Sequence, residues 1–485
     1  MDEALAQRRP LAPLAVLKAL VLVFILAKIV VLFSASVFQD EAYYWLWGQH
    51  PALSYYDHPP LNAWLQGLMG AIFGWNKFAM RLMVGVSFAA DIGFLWLISK
   101  LVARDWPEHF WLTLLLFLST PLFFAATALA LPDHLLTTLM LGSLYFLLSF
   151  LQNWPDQPRW GHLFLGAACL GLGGLAKFNA AFLGIGLGLY ILYTPRLRPL
   201  LAKPQLYLAA VIAIAPQIVV VLWNLDRDMA SYRFILSRRY GSLVPGLKYP
   251  VRWLINFLLV VGPFLVLPLV MFGLRARVAG SGLSRLVFWL STISIFALSV
   301  VTDTRFHWNI MAYIVALPFL AFYLRWRWMT WAHLAYGGVV IAALLVNFSW
   351  GPVGNVKARD DDATGWAYGW DDVAAAVREA EAKYATDFVV SSDYANTSLL
   401  AFALQDKDVA GFSGRIDQFD FWFDPAAHAG QDAILVGDIW EPFTDDMKAR
   451  FSEVVLLTEV PIVRGGQEID RHQIYLGRGF IAAPQ

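Results

Sequence analysis

The residues best suited to chemistry lie in a segment that follows the first long apolar run. This segment, residues 38–60, carries Asp40 and Glu41 in its first half and Asp57 and His58 in its second. A carboxylate can accept a proton from a hydroxyl group. An Asp–His pair can bind a divalent cation, and a charged imidazole can bind a phosphate. The pattern predicts a reactive site at the boundary of an apolar region.

Aromatic residues accompany these acids. Tyr43, Tyr44 and Tyr56 are the predicted substrate-binding residues, because aromatic rings pack on the apolar faces of sugars. Pro59 and Pro60 restrict the backbone next to the Asp–His pair. The alternative interpretation is structural: the aromatics form an interfacial belt, and the acids end a helix in water.

Further polar residues stand between or beside apolar runs. The acid among them is Asp133, and the cations and histidines are Arg81, Lys177, Arg305 and His307. Such cations could hold an anionic headgroup. Pro132-Asp133 also suits a simple turn, and Lys177 also suits a lysine that snorkels to the interface.

The composition is that of an integral membrane protein. Of the 485 residues, 59% are hydrophobic and 15% are charged, against about 25% charged in soluble domains. The 36 basic and 36 acidic residues balance, which argues against a nucleic-acid partner. Cys169 is the single cysteine, so no disulfide framework is expected.

The hydropathy pattern predicts an all-α polytopic protein with about eleven transmembrane helices. A Gly-rich segment, 61–75, is predicted to be an interfacial helix. The predicted spans are 14–37, 78–102, 108–130, 132–151, 161–176, 178–194, 204–223, 251–274, 286–302, 308–324 and 328–350.

The distribution of Lys and Arg predicts the orientation. Arg8, Arg9 and Lys18 place the N-terminus in the cytoplasm. Eleven spans then place 38–77, Asp133, Lys177, the basic loop 224–250 and the C-terminal residues on the periplasmic side of the inner membrane. The first span is expected to stay uncleaved, because it is long for a signal peptide.

The composition changes after Trp350, where most of the acids are found. A helix after Gly369 and short strands near 388–390, 433–436, 454–457 and 473–476 are expected. We therefore predict a transmembrane domain, 1–350, and a small periplasmic α/β domain, 351–485.

An ordered series of motifs resembles a known family. Asp40-Glu41-Ala42-Tyr43-Tyr44-Trp45, Tyr55-Tyr56-Asp57-His58-Pro59-Pro60-Leu61 and Phe78-Ala79-Met80-Arg81-Leu82 come first. Pro132-Asp133, Ala176-Lys177-Phe178 and His307-Trp308 with Tyr313 follow in order. Together they resemble the bacterial polytopic glycosyltransferases of the GT-C class. The nearest group is related to protein O-mannosyltransferases and the aminoarabinose transferase of lipid A (glycosyltransferase family 39). The resemblance covers roughly residues 14–330.

The resemblance implies transfer of a sugar from a polyprenyl-phosphate donor, with inversion, on the periplasmic face. Asp40 matches the acid taken as general base or acceptor-binding carboxylate, with Glu41 beside it, and Asp133 matches the second acid of the cavity. Asp57 and His58 match the pair that binds metal or donor phosphate. His58 departs from the Glu-Lys-Pro of the aminoarabinose transferases.

The other implied assignments are less specific. Arg81, Lys177, Arg305 and His307 are candidate donor-phosphate ligands. The acceptor is a lipid, a glycan or a protein. A divalent metal ion, with Asp57 as candidate ligand, is the one cofactor considered. No Walker or Rossmann glycine motif is present, so a nucleotide-binding fold is not expected.

Two other functions fit parts of the sequence. A transporter or flippase of lipid-linked sugars also needs many spans, but it should show inverted repeats and charges near the midplane of its spans. A non-enzymatic scaffold leaves the acids of the first loop unexplained.

Overall fold

The chain folds into two compact units. A computed structural model describes residues 11–238, 246–275, 278 and 280–482. The first unit comprises the described residues of 1–32, 58–61 and 84–342, and the second those of 33–57, 62–83 and 343–485. Arg8 and Arg9, which entered the orientation prediction, and residues 239–245 of the basic loop 224–250 lie outside the described residues.

Long apolar helices dominate the chain. Within the described ranges, seven are long and apolar enough to cross a membrane, and two bent pairs bring the number to nine if each pair is one span. The seven are Leu14–Ser34, Lys77–Val102, Pro132–Asn153, Pro204–Asp226, Gly282–Ser299, Phe306–Tyr323 and Arg327–Ser349. The pairs are Phe178–Tyr193 with Pro195–Ala202 (106°) and Lys248–Val261 with Pro263–Leu274 (94°).

Each of the eleven predicted spans contains a helix, and proline accounts for the main differences. The predicted span 108–130 divides at Pro121 into Glu108–Ser119 and Pro121–Ala126. Proline lacks the N–H that would continue a helix. Trp160–Ala176 is also short, at 17 residues. The all-α polytopic class is confirmed, whereas the number eleven and the side that each loop faces stay predictions.

Shorter helices complete this part of the chain. The first loop forms Gln39–Gln49 and Leu61–Phe73, the second of which coincides with the predicted interfacial segment. A helix Ala230–Arg233 and a π-helical turn Phe234–Arg238 follow Asp226.

A five-stranded sheet forms in the C-terminal residues. Its strands are β1 (Phe388–Ser391), β2 (Ala410–Gly411), β3 (Ala433–Gly437), β4 (Phe451–Arg464) and β5 (Gln467–Phe480). The order is β2-β1-β3-β5-β4; β1 runs parallel to β2 and β3, and β5 antiparallel to β3 and β4. The helices are Trp370–Tyr384 and Tyr394–Leu404, with short turns at Lys357–Arg359, Asp362–Gly365, Gln418–Phe421 and Asp445–Lys448.

The small α/β domain predicted after residue 350 is therefore confirmed as a fold. All four residues of β1 and all five of β3 are buried, as expected for strands covered on both faces. Phe388, Phe412, Phe451 and Phe480 form much of its core. The predicted division at residue 350 differs from the compact units, since 33–57 and 62–83 group with the C-terminal residues.

Candidate active site

An acid–base pair is buried in the first unit. Asp133 stands in the first turn of helix Pro132–Asn153, after the proline that begins it, and Lys177 ends helix Trp160–Ala176. The Lys177 Nζ lies 2.9 Å from both carboxylate oxygens of Asp133. Their side chains are only 5% and 10% exposed. The attraction between two charges grows as water is excluded, so each charge fixes the other in place.

Two histidines belong to the same group. His58 and His307, both half-buried, interact electrostatically with the Asp133 carboxylate. Four sequence-predicted residues from four separate segments are thus brought together. Arg305 is exposed, and no interaction described for it joins it to this group. One ammonium and two imidazoles beside a single carboxylate can donate hydrogen bonds to an anion.

An apolar cavity lies next to Lys177 along the chain. It has a volume of about 760 Å³ and is lined by Gly174, Phe178 and Ala180, which flank Lys177, and by Ile185, Ala210 and Tyr232, among others. Most of its walls come from three predominantly apolar helices, Trp160–Ala176, Ala181–Tyr193 and Pro204–Ile214. This arrangement suits a ligand with a charged head and a hydrocarbon chain.

In the second unit, Glu41 and Arg81 form a closed ion pair. The Arg81 Nε donates to Glu41 Oε1 at 2.9 Å, and Nη2 donates to Oε2 at 2.6 Å. Arg81 also donates to the Ala35 and Ser36 carbonyls at 2.9 and 2.7 Å. The two side chains are 0% and 2% exposed. These contacts join helices Gln39–Gln49 and Lys77–Val102, and the catalytic role of Glu41 and the phosphate-binding role of Arg81 stay predictions.

Asp40 has a different environment. It is half-buried, and the Tyr394 hydroxyl donates to its Oδ1 at 3.3 Å. The Arg415 guanidinium lies over the Tyr394 ring, 4.2 Å from its centre. The negative charge of Asp40, together with burial, raises the pKa of Tyr394 well above its usual value. Tyr394 therefore stays protonated and donates its hydrogen bond to the Asp40 carboxylate.

Asp57 is held by a second tyrosine. The Tyr43 hydroxyl donates to Asp57 Oδ2 at 2.8 Å and accepts from the Gln418 N–H, also at 2.8 Å. The Tyr56 N–H donates to the Gln418 side-chain oxygen at 2.8 Å. Burial, followed by the charge of Asp57, raises the pKa of Tyr43 well above its usual value. Tyr43 thus fixes the orientation of the Asp57 carboxylate.

The predicted sugar-binding tyrosines are largely enclosed by other rings. Tyr43 packs against Phe419 at 5.7 Å between ring centres, Tyr44 against Trp47 at 4.9 Å, and Tyr56 against Phe421 at 5.4 Å. All three tyrosines are less than 10% exposed. Their contact with a sugar stays a prediction.

The two residues of the expected Asp57–His58 pair have different described partners. Asp57 belongs to the second unit, with Tyr43, whereas His58 belongs to the first and interacts with Asp133. Among the described residues, the group of three metal-type ligands that lies together does not include Asp57. A divalent metal ion at Asp57 therefore stays a prediction, and we derive no catalytic step through one.

Four C-terminal residues in this region were missed by sequence reasoning: Tyr394, Arg415, Asp417 and Gln418. Tyr394 and Gln418 form hydrogen bonds to the first loop across more than 300 residues of chain, and Arg415 and Asp417 interact electrostatically with Tyr43. The one local signal is the Arg415-Ile416-Asp417-Gln418 run, which mixes charges and amide with flanking aromatics. Such a run is also ordinary for an exposed turn, so it does not identify a site.

Comparison with known sequences gives two matches. The family model described as dolichyl-phosphate-mannose-protein mannosyltransferase matches residues 57–223. The lipid A galacturonosyltransferase RgtD of Rhizobium johnstonii is 24% identical over 342 residues, which cover 67% of this chain and 69% of that protein.

Comparison with solved structures identifies the fold. ArnT from Cupriavidus metallidurans bound to undecaprenyl phosphate aligns with a TM-score of 0.64 and 17% identity, over 98% of this chain and 100% of ArnT. The archaeal oligosaccharyltransferase AglB from Archaeoglobus fulgidus aligns with a TM-score of 0.52 and 12% identity, over 87% and 69% of the two chains. The fold is ArnT-like, and the resemblance to GT-C glycosyltransferases inferred from the sequence is confirmed.

Proposed function

We propose that the chain is an inverting glycosyltransferase of the inner membrane that moves a sugar from a polyprenyl-phosphate donor to an acceptor on the periplasmic face. The observation that carries the proposal is the buried Lys177–Asp133 pair beside an apolar cavity of about 760 Å³. His58 and His307 interact electrostatically with the Asp133 carboxylate of this pair. A lipid phosphate has the matching chemistry: an anionic head on a hydrocarbon chain.

We assign Lys177, Asp133, His58 and His307 to binding of the phosphate of the lipid donor. Lys177 and the two histidines stabilise the charge that grows on the phosphate oxygen as the bond to the sugar breaks. Asp133 holds the Lys177 ammonium in a fixed position, so little reorganisation is needed during the reaction. The isoprenoid chain occupies the apolar cavity.

The acceptor hydroxyl is activated by Asp40. Its oxygen forms the new bond to the anomeric carbon while the bond from that carbon to the phosphate oxygen breaks. The hydroxyl proton passes to the Asp40 carboxylate, and the lipid phosphate leaves with the electron pair. Attack opposite to the leaving group inverts the anomeric centre. Tyr394, through its hydrogen bond, positions the Asp40 carboxylate.

Lipid A is the acceptor that we propose first, because the curated relative is named as a lipid A galacturonosyltransferase. A galacturonosyl or aminoarabinosyl polyprenyl phosphate is the corresponding donor. Another envelope glycan or a protein hydroxyl would use the same chemistry at Asp40.

The donor assignment is tested by Lys177→Met in membranes supplied with lipid A and with polyprenyl phosphates carrying labelled galacturonic acid, aminoarabinose or mannose. We expect transfer of label to fall by about 10²–10³-fold, the effect typical of losing one preorganised electrostatic contact. Lys203→Met, at an exposed lysine, is the matched control and should keep full transfer.

Two results would contradict the proposal. One is wild-type transfer by Lys177→Met. The other is a wild-type protein that transfers none of these sugars while a deletion strain keeps an unchanged set of envelope lipids and glycans. Labelled lipid that changes leaflet without forming a new glycosidic bond would instead support the transporter.

The acceptor assignment is tested by Asp40→Asn in the same membranes. The amide cannot take the hydroxyl proton, so we expect transfer to be lost while binding of the lipid-phosphate donor is retained. Undiminished transfer would remove Asp40 from the mechanism.

A further inference from the structure

Three ionisable side chains meet inside the C-terminal sheet, apart from the residues discussed above. Asp438 directly follows β3, and Asp470 and His472 lie on β5, which pairs antiparallel with β3 in the register Gly437 to Gln473. Alternate residues of a strand share a face, so Asp470 and His472 point the same way, next to the end of β3. All three are 0% exposed.

The three side chains have the arrangement of metal ligands. One ligand atom from each lies within 4.8 Å of the others. The His472 Nε2 is 3.2 Å from Asp470 Oδ2. Ligands bound at about 2.0 Å in a tetrahedron stand about 3.3 Å apart, so this separation suits two ligands of one zinc ion.

The charges of the cluster do not balance. In the part of the chain that the structure describes, His472 is the one basic side chain within ion-pair distance of either carboxylate. Two buried carboxylates therefore face at most one positive charge. A buried charge without a partner is strongly destabilising, and a divalent cation would supply the missing charge.

Neighbouring groups orient the carboxylates without using all their acceptor sites. Trp366 Nε1 donates to Asp438 Oδ2 at 2.6 Å, and the backbone N–H groups of Trp440 and Glu441 donate to Oδ1 at 2.9 and 2.6 Å. The Arg471 N–H donates to Asp470 Oδ1 at 2.7 Å. Such outer contacts are typical around metal ligands, which they hold in position.

The remaining atoms of the cluster lack hydrogen bonds. Among the described residues, neither ring nitrogen of His472 nor Asp470 Oδ2 has a hydrogen-bond partner, although all three atoms are buried. The 3.2 Å approach of Nε2 to Oδ2 is a close contact without hydrogen-bond geometry. Buried polar atoms are almost always paired, so these atoms point to a missing ligand.

We propose that Asp438, Asp470 and His472 bind a divalent first-row transition-metal ion, with zinc as the best match. An imidazole with two carboxylates suits zinc or manganese better than calcium or magnesium, which prefer oxygen ligands alone. The ion joins β3 to β5 and so stabilises the C-terminal sheet. The Trp370 ring, edge-on to His472 at 4.7 Å, fixes the orientation of the imidazole.

The test uses the full-length protein purified in detergent without chelators. We expect elemental analysis to find one equivalent of metal in the wild type, and zinc to raise the unfolding midpoint of protein first treated with EDTA. Asp470→Asn and His472→Gln should each lose the equivalent and the response to zinc. Glu468→Gln, on the same strand but partly exposed, is the matched control and should keep both.

A measurement on the wild type guards against variants that fail to fold. Cobalt(II) added to EDTA-treated wild type should give the visible absorption of an imidazole-bound ion, and zinc should abolish it. The proposal is overturned if the wild type neither contains metal nor responds to zinc or cobalt. It is equally overturned if folded Asp470→Asn and His472→Gln keep the metal content of the wild type.

Discussion

Two buried acid–base pairs show how similar residues take different roles. The Glu41 carboxylate accepts from Nε and Nη2 along one edge of the Arg81 guanidinium, and Nη1 and Nη2 donate to the Ala35 and Ser36 carbonyls. Among the described residues, Lys177 has one carboxylate partner, Asp133, and that carboxylate also interacts with two histidines. The Glu41–Arg81 pair joins two helices, whereas the Asp133–Lys177 pair lies near two imidazoles that can bind an anion.

Arg81→Met should destabilise the folded protein, and not only lower the rate of sugar transfer. The substitution leaves the Glu41 carboxylate buried without its ion-pair partner, which typically costs about 3–5 kcal/mol. We expect a lower thermal unfolding midpoint and poor recovery from membranes. The double variant Glu41→Gln/Arg81→Met should recover part of the loss, because it removes both charges.

The single variant Arg81→Met also distinguishes a structural role of Arg81 from phosphate binding. If Arg81→Met instead folds as the wild type and loses only affinity for the lipid-phosphate donor, then Arg81 binds phosphate, as the sequence suggests.

At the scale of elements, two helices of the first loop approach so closely that only glycine fits. A Cβ on Gly48, in helix Gln39–Gln49, would lie 2.7 Å from the Ala63 carbonyl oxygen and would also meet the backbone of Gly67. Backbone atoms of a packed helix cannot move aside cheaply. This approach sets the position of the helix that carries Asp40 and Tyr43.

Gly48→Ala should therefore destabilise the second unit by about 3 kcal/mol, near the upper end for overpacking. A fall in the thermal unfolding midpoint of the purified protein would show it. Gly85→Ala is the matched control, because a Cβ there meets no atom within 4 Å. Equal midpoints for the two variants would disprove the close approach.

We expect the stability of a second element, the short helix Gln418–Phe421, to depend on pH. Asp417 caps the short helix Gln418–Phe421, whose Gln418 N–H binds Tyr43, by accepting the Phe419 N–H at 2.9 Å. Burial raises the pKa of Asp417 to about 7, from an ordinary value of 3.8. The folded state thus holds this proton more tightly than the unfolded state does.

The sign of the effect follows from linkage. Asp417 contributes most stability below pH 4, and that contribution is lost as the pH rises to about 7. Asp417→Asn should remove this part of the pH dependence. As the pH rises from 5 to 8, the unfolding midpoint of the variant should therefore increase relative to that of the wild type. Asp424→Asn, at an exposed acid, should follow the wild type. Parallel curves for Asp417→Asn and wild type would refute the assignment.

At the scale of the whole molecule, orientation is set by the distribution of basic residues. The prediction places Lys203 in the cytoplasm and the C-terminal residues in the periplasm, and it depends on the number of spans. A single cysteine makes this easy to test, because Cys169→Ser gives a background without thiols.

In that background, Asp424→Cys and Lys203→Cys place thiols at two exposed positions. On intact spheroplasts, a membrane-impermeant maleimide should label Asp424→Cys and should reach Lys203→Cys only after permeabilisation. Labelling of both, or of Lys203→Cys alone, would show that the span count or the orientation is wrong.

The sequence by itself determined the class of the molecule and the identity of its polar residues. Apolar runs of helix length define the membrane helices, because a helix in lipid must be apolar over most of its surface. Buried strands such as Ala433–Gly437 were visible because a strand covered on both faces is apolar at nearly every position. Asp40, Asp133 and Lys177 stood out because charges near apolar runs are costly.

Only the tertiary structure decided which of these residues act together. It paired Glu41 with Arg81, joined Asp57 to Tyr43 and His58 to Asp133, and brought Tyr394 and Gln418 to the first loop. It also assembled Asp438, Asp470 and His472, which no sequence pattern had marked. Helix and strand periodicity is local, whereas a hydrogen bond between residues 43 and 418 depends on the packing of the whole unit. Composition and periodicity therefore predict elements, but not the partners of a side chain.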